Sequence, residues 1–159
     1  RKTATQQIDI PCRFGTLRVF EHRFLLKYKN RTSYIYKGAL LNSKLLPAAT
    51  FTAYPHSFQT LFLIFVLGKN QYVEFSHYPT FAHQFHLTAE DQLLIQMLFS
   101  DQVINWFMAV GQRYVVECRP DYLLIYYFKK GPLLQKEVEA FHQDVKELAR
   151  CLIKSQNEG

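Results

Sequence analysis

The sequence predicts a single α+β domain over residues 1–159, with an antiparallel sheet packed against helices and a long amphipathic C-terminal helix. Aromatic-rich extended segments fill the first half of the chain, and helical periodicity begins near residue 88. A hairpin pattern over residues 113–128 then precedes one last helical segment. A length of 159 residues with 48% hydrophobic and 20% charged residues is typical of one globular domain.

The first half contains two hairpin patterns. Residues 18–36 are aromatic-rich and are interrupted by the polar cluster 29–32, which predicts a hairpin. The apolar run 61–67, the turn sequence 68–70 and the extended pattern that follows predict another. Residues 1–15 are interpreted as a flexible or linker-like start.

Two proline-containing stretches are predicted to be irregular. Residues 39–57 contain Pro47 and Pro55, which favours an irregular connection or short edge pieces. Residues 77–86 contain Pro79 and are interpreted as a loop that leads to a helix.

Two short helices are predicted between residues 88 and 111. Thr88 followed by Asp91 resembles a capping box, and Ser100 resembles the N-cap of a second helix that ends near Gly111. The apolar residues predicted to face inward on these helices are Leu94, Met97, Leu98, Val103, Ile104, Phe107 and Met108.

The last helix is predicted over about residues 132–154, with Pro132 at or near its first position and a frayed tail over residues 155–159. Its apolar residues recur at spacings of four and three, which predicts one buried stripe. They are Leu134, Val138, Phe141, Val145, Leu148 and Leu152.

The net charge of +6 is concentrated in the first third of the chain. Residues 1–50 hold ten Lys or Arg against Asp9 and Glu21, whereas residues 51–159 hold nine basic and eleven acidic residues. This asymmetry indicates an anionic partner, either a phospholipid surface or nucleic acid. The candidate contacts are Arg18, Arg23, Lys27, Arg31 and Lys37.

No catalytic, cofactor or metal site is predicted. His77, His83 and His86 lie within ten residues, but their spacing matches no established metal motif. The three cysteines, Cys12, Cys118 and Cys151, are interpreted as reduced, buried thiols in a cytosolic setting. The six glycines form no phosphate-binding loop, so no nucleotide cofactor is expected.

Residues 38–152 resemble a family of uncharacterised, membrane-associated bacterial proteins. The matching stretches are 45–51 (LLPAATF), 78–81 (YPTF), 86–91 (HLTAED) with 98–99 (LF), 116–118 (VEC) and 122–126 (YLLIY). The resemblance does not extend over residues 1–37. It implies a cytosolic domain of unknown function that follows upstream hydrophobic spans at the inner face of a membrane. It implies no catalytic residues.

The leading functional hypothesis is therefore a non-enzymatic cytosolic interaction module with a protein partner, tethered near a bacterial membrane with an anionic surface. The first alternative is a nucleic-acid-binding domain. Its basis is the basic, aromatic-rich sheet predicted for residues 18–37, where rings would stack on bases and cations would contact phosphates. An enzyme with an unrecognised site is the third hypothesis.

Overall fold

The computed structural model describes residues 2–26, 32–58, 71–129 and 131–158. Within these residues, one antiparallel sheet has the strand order β1-β2-β3-β8-β7-β4-β6-β5. The strands are β1 (Lys2–Cys12), β2 (Gly15–Leu26), β3 (Thr32–Asn42), β4 (Phe51–Pro55), β5 (Gln71–Tyr72), β6 (Phe85–Ala89), β7 (Val115–Arg119) and β8 (Tyr122–Phe128).

Four α-helices accompany the sheet in the same part of the chain. They are α1 (Pro79–Gln84), α2 (Gln92–Leu98), α3 (Asp101–Ala109) and α4 (Gln135–Glu158), with 3-10 turns at His56–Phe58 and Gly111–Arg113. The predicted α+β class, with its antiparallel sheet and long C-terminal helix, is confirmed.

The alternation of side chains along each strand gives the sheet two different faces. One face packs against α3 and α4, and its residues are almost fully buried. They include Leu17, Val19, Ala39, Leu41, Val116, Leu123 and Ile125. The other face, called here the aromatic face, carries Phe20, His22, Tyr36, Tyr54, His86, Tyr126 and Phe128. The helices therefore form one layer against one side of the sheet.

The start of the chain is strand rather than linker. Residues 2–12 pair antiparallel with β2 over most of its length, with one register shift between Ala4 and Gln6. The Gln6 side chain also accepts a hydrogen bond of 3.2 Å from the Leu133 amide, which joins β1 to the segment before α4. The prediction of a flexible start is wrong because β1 pairs with β2 and packs Ile10 and Cys12 against the core.

The first predicted hairpin is confirmed, since β2 and β3 pair antiparallel from Thr16 opposite Asn42 to Leu26 opposite Thr32. The last hairpin is confirmed as β7 and β8. Of the predicted hairpin over residues 61–75, residues 59–70 lie outside the described part of the chain, and only Gln71–Tyr72 is seen as strand.

The proline-containing stretches are more regular than predicted. Residues 51–55 form a central, fully buried strand that ends at Pro55, so the irregular connection is limited to residues 43–50. The stretch predicted as a loop contains α1, with Pro79 at its start, followed directly by β6. Proline is compatible with both places, because it lacks only an amide donor that neither position needs.

The start of α2 differs from the sequence interpretation, whereas the start of α3 agrees with it. Thr88 lies in β6, and α2 begins after Asp91, whose carboxylate accepts a 3.1 Å hydrogen bond from the Leu94 amide. Ser100 is the N-cap of α3 as predicted, but its hydroxyl bonds to Ser155 at 2.7 Å instead of capping the helix. α3 ends at Ala109, close to the predicted stop at Gly111.

The last helix starts later and ends later than predicted, at Gln135 and Glu158. Five of its six predicted apolar contacts are buried (Val138, Phe141, Val145, Leu148 and Leu152). Leu134 precedes the helix and is exposed, while its neighbour Leu133 is buried. Ser155 is buried and bonds to Ser100 and to the Cys151 carbonyl, so the predicted frayed tail is helix up to Glu158.

Candidate partner surfaces

The five predicted anionic-partner contacts do not form one basic surface among the described residues. Arg18 is exposed on the aromatic face of β2, but its guanidinium pairs with the Asp9 carboxylate at 2.8 Å. Lys37 projects from the opposite face of β3 and is only 1% exposed. Lys27 and Arg31 lie outside the described residues, as does the side chain of Arg23. An external partner therefore does not contact Lys37, contrary to the sequence interpretation.

Lys37 is instead part of a buried polar network at the start of α4. Its ammonium donates to a Glu137 carboxylate oxygen and to the Pro132 carbonyl, both at 2.8 Å. The same carboxylate accepts from the Leu134 amide at 3.1 Å and from the Tyr127 hydroxyl. Burial alone raises the pKa of Glu137, but these hydrogen bonds outweigh it and lower the pKa to about 2. The network fixes the position of the helix on the sheet.

Arg119, the other described arginine on the aromatic face, is also engaged. Its guanidinium donates to the Phe51 and Cys118 carbonyls at 3.0 and 2.8 Å and lies 3.4 Å from Glu117. These contacts hold the ends of β4 and β7 together. Like Arg18, Arg119 has a carboxylate neighbour that reduces its attraction for a phosphate.

The aromatic face contains a continuous group of rings at its centre. His22 and Tyr36 are stacked, with centroids 5.5 Å apart and an angle of 16° between the rings. Tyr36 contacts Tyr126 at 5.6 Å and Phe128 at 6.3 Å. The four side chains are half-buried. Half-buried rings in this arrangement are suited to contact with flat apolar or aromatic groups.

The most exposed large apolar side chains of the described residues lie on α2. Leu93 is 74% exposed and Met97 is 68% exposed, and a separation of four residues places them side by side on the helix. The opposite side of α2 is fixed to the core by Ile95 and Leu98. Met97 was predicted to face inward; the buried stripe of α2 instead passes through Ile95. We call Leu93 and Met97 the α2 apolar pair.

Three histidines come together at the corner formed by β4, β6 and α1. His56 and His86 have ring centroids 4.0 Å apart, and His83 lies 6.3 Å from His56. His77, which the sequence grouped with His83 and His86, is not part of this cluster, and His56 replaces it. No His, Cys, Asp or Glu group in the described ranges is arranged to hold a metal ion.

A shallow groove of about 450 Å³ runs between α3 and α4. Its polar groups mainly contact each other: Arg150 pairs with Glu147, and the Trp106 indole donates to the Asp144 carbonyl at 3.0 Å. The thiol of Cys151 lines the groove, and burial raises its pKa. Burial also raises the pKa of Cys118, to about 12. A protonated thiol is a poor nucleophile, so neither cysteine is suited to covalent catalysis.

The comparisons with protein families, curated proteins and solved structures give no match to this chain. In the described ranges, no helix has both the length and the apolar character needed to cross a membrane.

Proposed function

We propose that this domain is a non-enzymatic interaction module that binds a protein partner through the α2 apolar pair. The observation that carries the proposal is the exposure of Leu93 and Met97, 74% and 68%, on a helix whose other side is buried. Two large apolar side chains at helical spacing are a common type of anchor in helix recognition, and Met adapts easily to a partner surface.

The structure around α2 favours binding because it fixes the helix backbone that carries the pair before a partner arrives. Asp91 caps the first turn, and the Gln96 side chain donates to the Glu74 carbonyl at 2.9 Å. A preformed surface loses little conformational entropy on association. The two anchors are therefore available at low entropic cost.

The charges next to the pair indicate the chemistry of the partner. Glu90 and Asp91 are both exposed and immediately precede α2. A recess with apolar walls and a basic rim would complement the pair and these two carboxylates. The same carboxylates would be repelled by anionic lipid, so α2 does not carry the membrane part of the proposal. Tethering at the inner face of a bacterial membrane rests on the family resemblance and the basic first third of the chain.

The experiment compares Leu93→Ser/Met97→Ser with the matched control Leu45→Ser, which changes an exposed leucine in the loop between β3 and β4. A partner captured by the wild-type chain would be purified, and its affinity measured by calorimetry. Loss of two buried apolar anchors is expected to weaken binding about 100-fold or more, while Leu45→Ser binds like the wild type. Equal affinities for the double variant and the control would overturn the proposal.

The membrane part is tested separately by flotation with vesicles that contain anionic phospholipid. Association that falls as ionic strength rises supports tethering through the basic first third of the chain. Absence of association at low salt would remove the contribution of this domain to tethering.

A second candidate function, single-stranded nucleic-acid binding, is favoured by the aromatic face. The stacked His22 and Tyr36, with Tyr126 and Phe128 beside them, offer rings to bases. Tyr36→Leu and Phe128→Leu are each expected to lower oligonucleotide affinity about 10-fold, measured by fluorescence anisotropy at low salt. No binding by the wild type at low salt would exclude this function. The carboxylate partners of Arg18 and Arg119 make it the weaker candidate.

A further inference from the structure

We propose that His56, His83 and His86 form an acid-sensitive contact that holds the corner of β4, β6 and α1 closed at neutral pH and loosens it at mildly acidic pH. We call these residues the histidine cluster. Each comes from a different element: His86 lies in β6, His83 in the last turn of α1, and His56 in the turn after β4.

The geometry of the cluster makes it sensitive to protonation. His56 and His86 lie with ring centroids 4.0 Å apart and His83 is 6.3 Å from His56, while Tyr54 covers His86 at 5.1 Å. Neutral imidazoles pack favourably at these distances. Two imidazolium ions about 4 Å apart repel each other, and the repulsion is stronger where the rings are partly removed from water.

The carboxylates around the cluster lie on neighbouring elements. Strands β4 and β6 and helix α1 contain no Asp or Glu. Glu74 follows β5 and continues the β5–β6 register to the position opposite His86, since the Val73 amide donates to the Leu87 carbonyl at 2.9 Å. The Glu74 side chain is exposed, and Glu117 on β7 pairs with Arg119. Solvent screens the exposed Glu74 carboxylate, so it offsets protonation of the half-buried His56 and His86 only in part.

The direction of the effect follows from the environment of His86. Burial, and then the charge of His56, lower the pKa of His86 below its ordinary value of 6.5. The folded state then binds a proton less readily than an opened state does. The contact of His86 with His56 therefore stabilises the closed corner fully above about pH 6.5, and this stabilisation is lost as the pH falls below that value. Histidine is the side chain whose charge changes in this physiological range.

Opening of the corner is expected to affect only one end of the β4–β6 ladder, because the histidines lie at that end. Phe81 and Phe85 stack at 5.2 Å within the hydrophobic core, and Phe85 lies opposite Pro55 at the end of the β4–β6 ladder. Separation of His56 from His86 would act first on this end of the ladder. The opposite end, at Phe51 and Ala89, contains no histidine.

The test measures amide hydrogen exchange of peptides that cover residues 79–89 in the intact chain, at about pH 7.5 and about pH 5.5, corrected for the intrinsic rate. The wild type is expected to exchange about tenfold faster at the lower pH, as for a locally opened corner. His56→Gln and His86→Gln remove one member of the closest pair and should abolish most of the acceleration. His77→Gln changes an exposed histidine outside the cluster and should retain it.

The proposal is overturned if amide exchange in the wild type is not accelerated at the lower pH. It is also overturned if the acceleration is the same in His56→Gln and His77→Gln. His83→Gln is a second test of the cluster. Because His83 is exposed, its substitution is expected to leave the fold intact. An intermediate acceleration in His83→Gln is expected, because its ring is farther from His56 than His86 is.

Discussion

The Lys37 ammonium lies 2.8 Å from the Glu137 carboxylate, and both side chains are buried, with 1% and 6% exposure. The pair joins the middle of β3 to the first turn of α4, across 100 residues of chain. Glu137 also accepts from the Leu134 amide, which is one half of a capping box. A buried ion pair contributes little net stability but strongly penalises the loss of one partner, which makes it suited to fixing a single docking geometry.

We therefore expect Lys37→Met to destabilise the domain by about 3–5 kcal/mol, since it leaves the Glu137 charge buried without its cation. The double variant Lys37→Met/Glu137→Gln should recover a large part of this loss, because no unpaired charge remains while the acceptor oxygen for Leu134 is retained. Urea denaturation followed by circular dichroism measures both free energies of unfolding.

The exposed pair Arg18 and Asp9 provides the control for this prediction. Arg18→Ala should change the free energy of unfolding far less than Lys37→Met, because solvent screens a surface pair. A double variant no more stable than Lys37→Met would contradict the view that the unpaired charge is the cause.

The same network predicts acid sensitivity of a defined sign. The pKa of Glu137 is about 2 in the folded state against 4.5 ordinarily, so the folded state holds its carboxylate more strongly ionised than the unfolded state does. Its contribution is present above about pH 4.5 and is lost as the pH falls towards about 2. The denaturant concentration at the unfolding midpoint of the wild type should decrease as the pH is lowered through this window. Glu137→Gln should flatten that part of the curve of midpoint against pH. Parallel curves for the two proteins would contradict the assignment.

The elements that the sequence predicted well have strong local patterns. The spacing of Val138, Phe141, Val145 and later residues predicted α4, and two extended runs around the turn at residues 119–121 predicted the hairpin of β7 and β8. Strand β1 was missed because its alternating stretch, residues 7–10, is short and the residues before it are polar or small. Thr88 was assigned to a helix start because its strand is defined by pairing with Thr52, 36 residues away.

The candidate surfaces were less accessible to sequence reasoning. The sequence interpretation grouped Arg18 with Lys37 because both are basic. Strand alternation places Lys37 on the same face as the buried Ala39 and Leu41, so the sequence already indicated that Lys37 faces the core. Its partner Glu137 could not be identified, because a contact across 100 residues leaves no local pattern. His56 was missed for the same reason, since only folding brings it to His86.

Gly38 is required where Phe20 crosses β3. A Cβ atom at this position would lie 2.7 Å from the Ile125 carbonyl oxygen and 2.9 Å from the Phe20 ring. Gly38→Ala is expected to destabilise the domain by about 1–3 kcal/mol, because a buried overlap forces the backbone or the ring to move. Thermal unfolding measures the change. An unaltered unfolding midpoint would contradict the close approach of Phe20 to β3.

The three cysteines should differ in reactivity. Cys118 and Cys151 are buried, and burial raises the pKa of both thiols, so the reactive thiolate is suppressed. Cys12 is only partly buried at the end of β1. Titration of the native protein with a chromogenic disulfide reagent should modify one thiol rapidly, and all three should react in denaturant. Cys12→Ser should remove the rapid phase; a rapid phase that survives would contradict the burial of the other two.

Asp91 distinguishes the observed helix start from the one predicted by the sequence. Its carboxylate accepts from the Leu94 amide at 3.1 Å, and it is the residue that holds the first turn of α2 beneath the α2 apolar pair. Asp91→Ala should cost about 1 kcal/mol of stability, since an amide donor of the first turn loses its acceptor. Asp91→Asn keeps an acceptor oxygen and should lose much less stability, which makes it the matched control.

Because α2 presents Leu93 and Met97, Asp91→Ala should also weaken partner binding several-fold. Equal effects of the two substitutions on unfolding would show that charge, and not the cap, is the property that matters at this position.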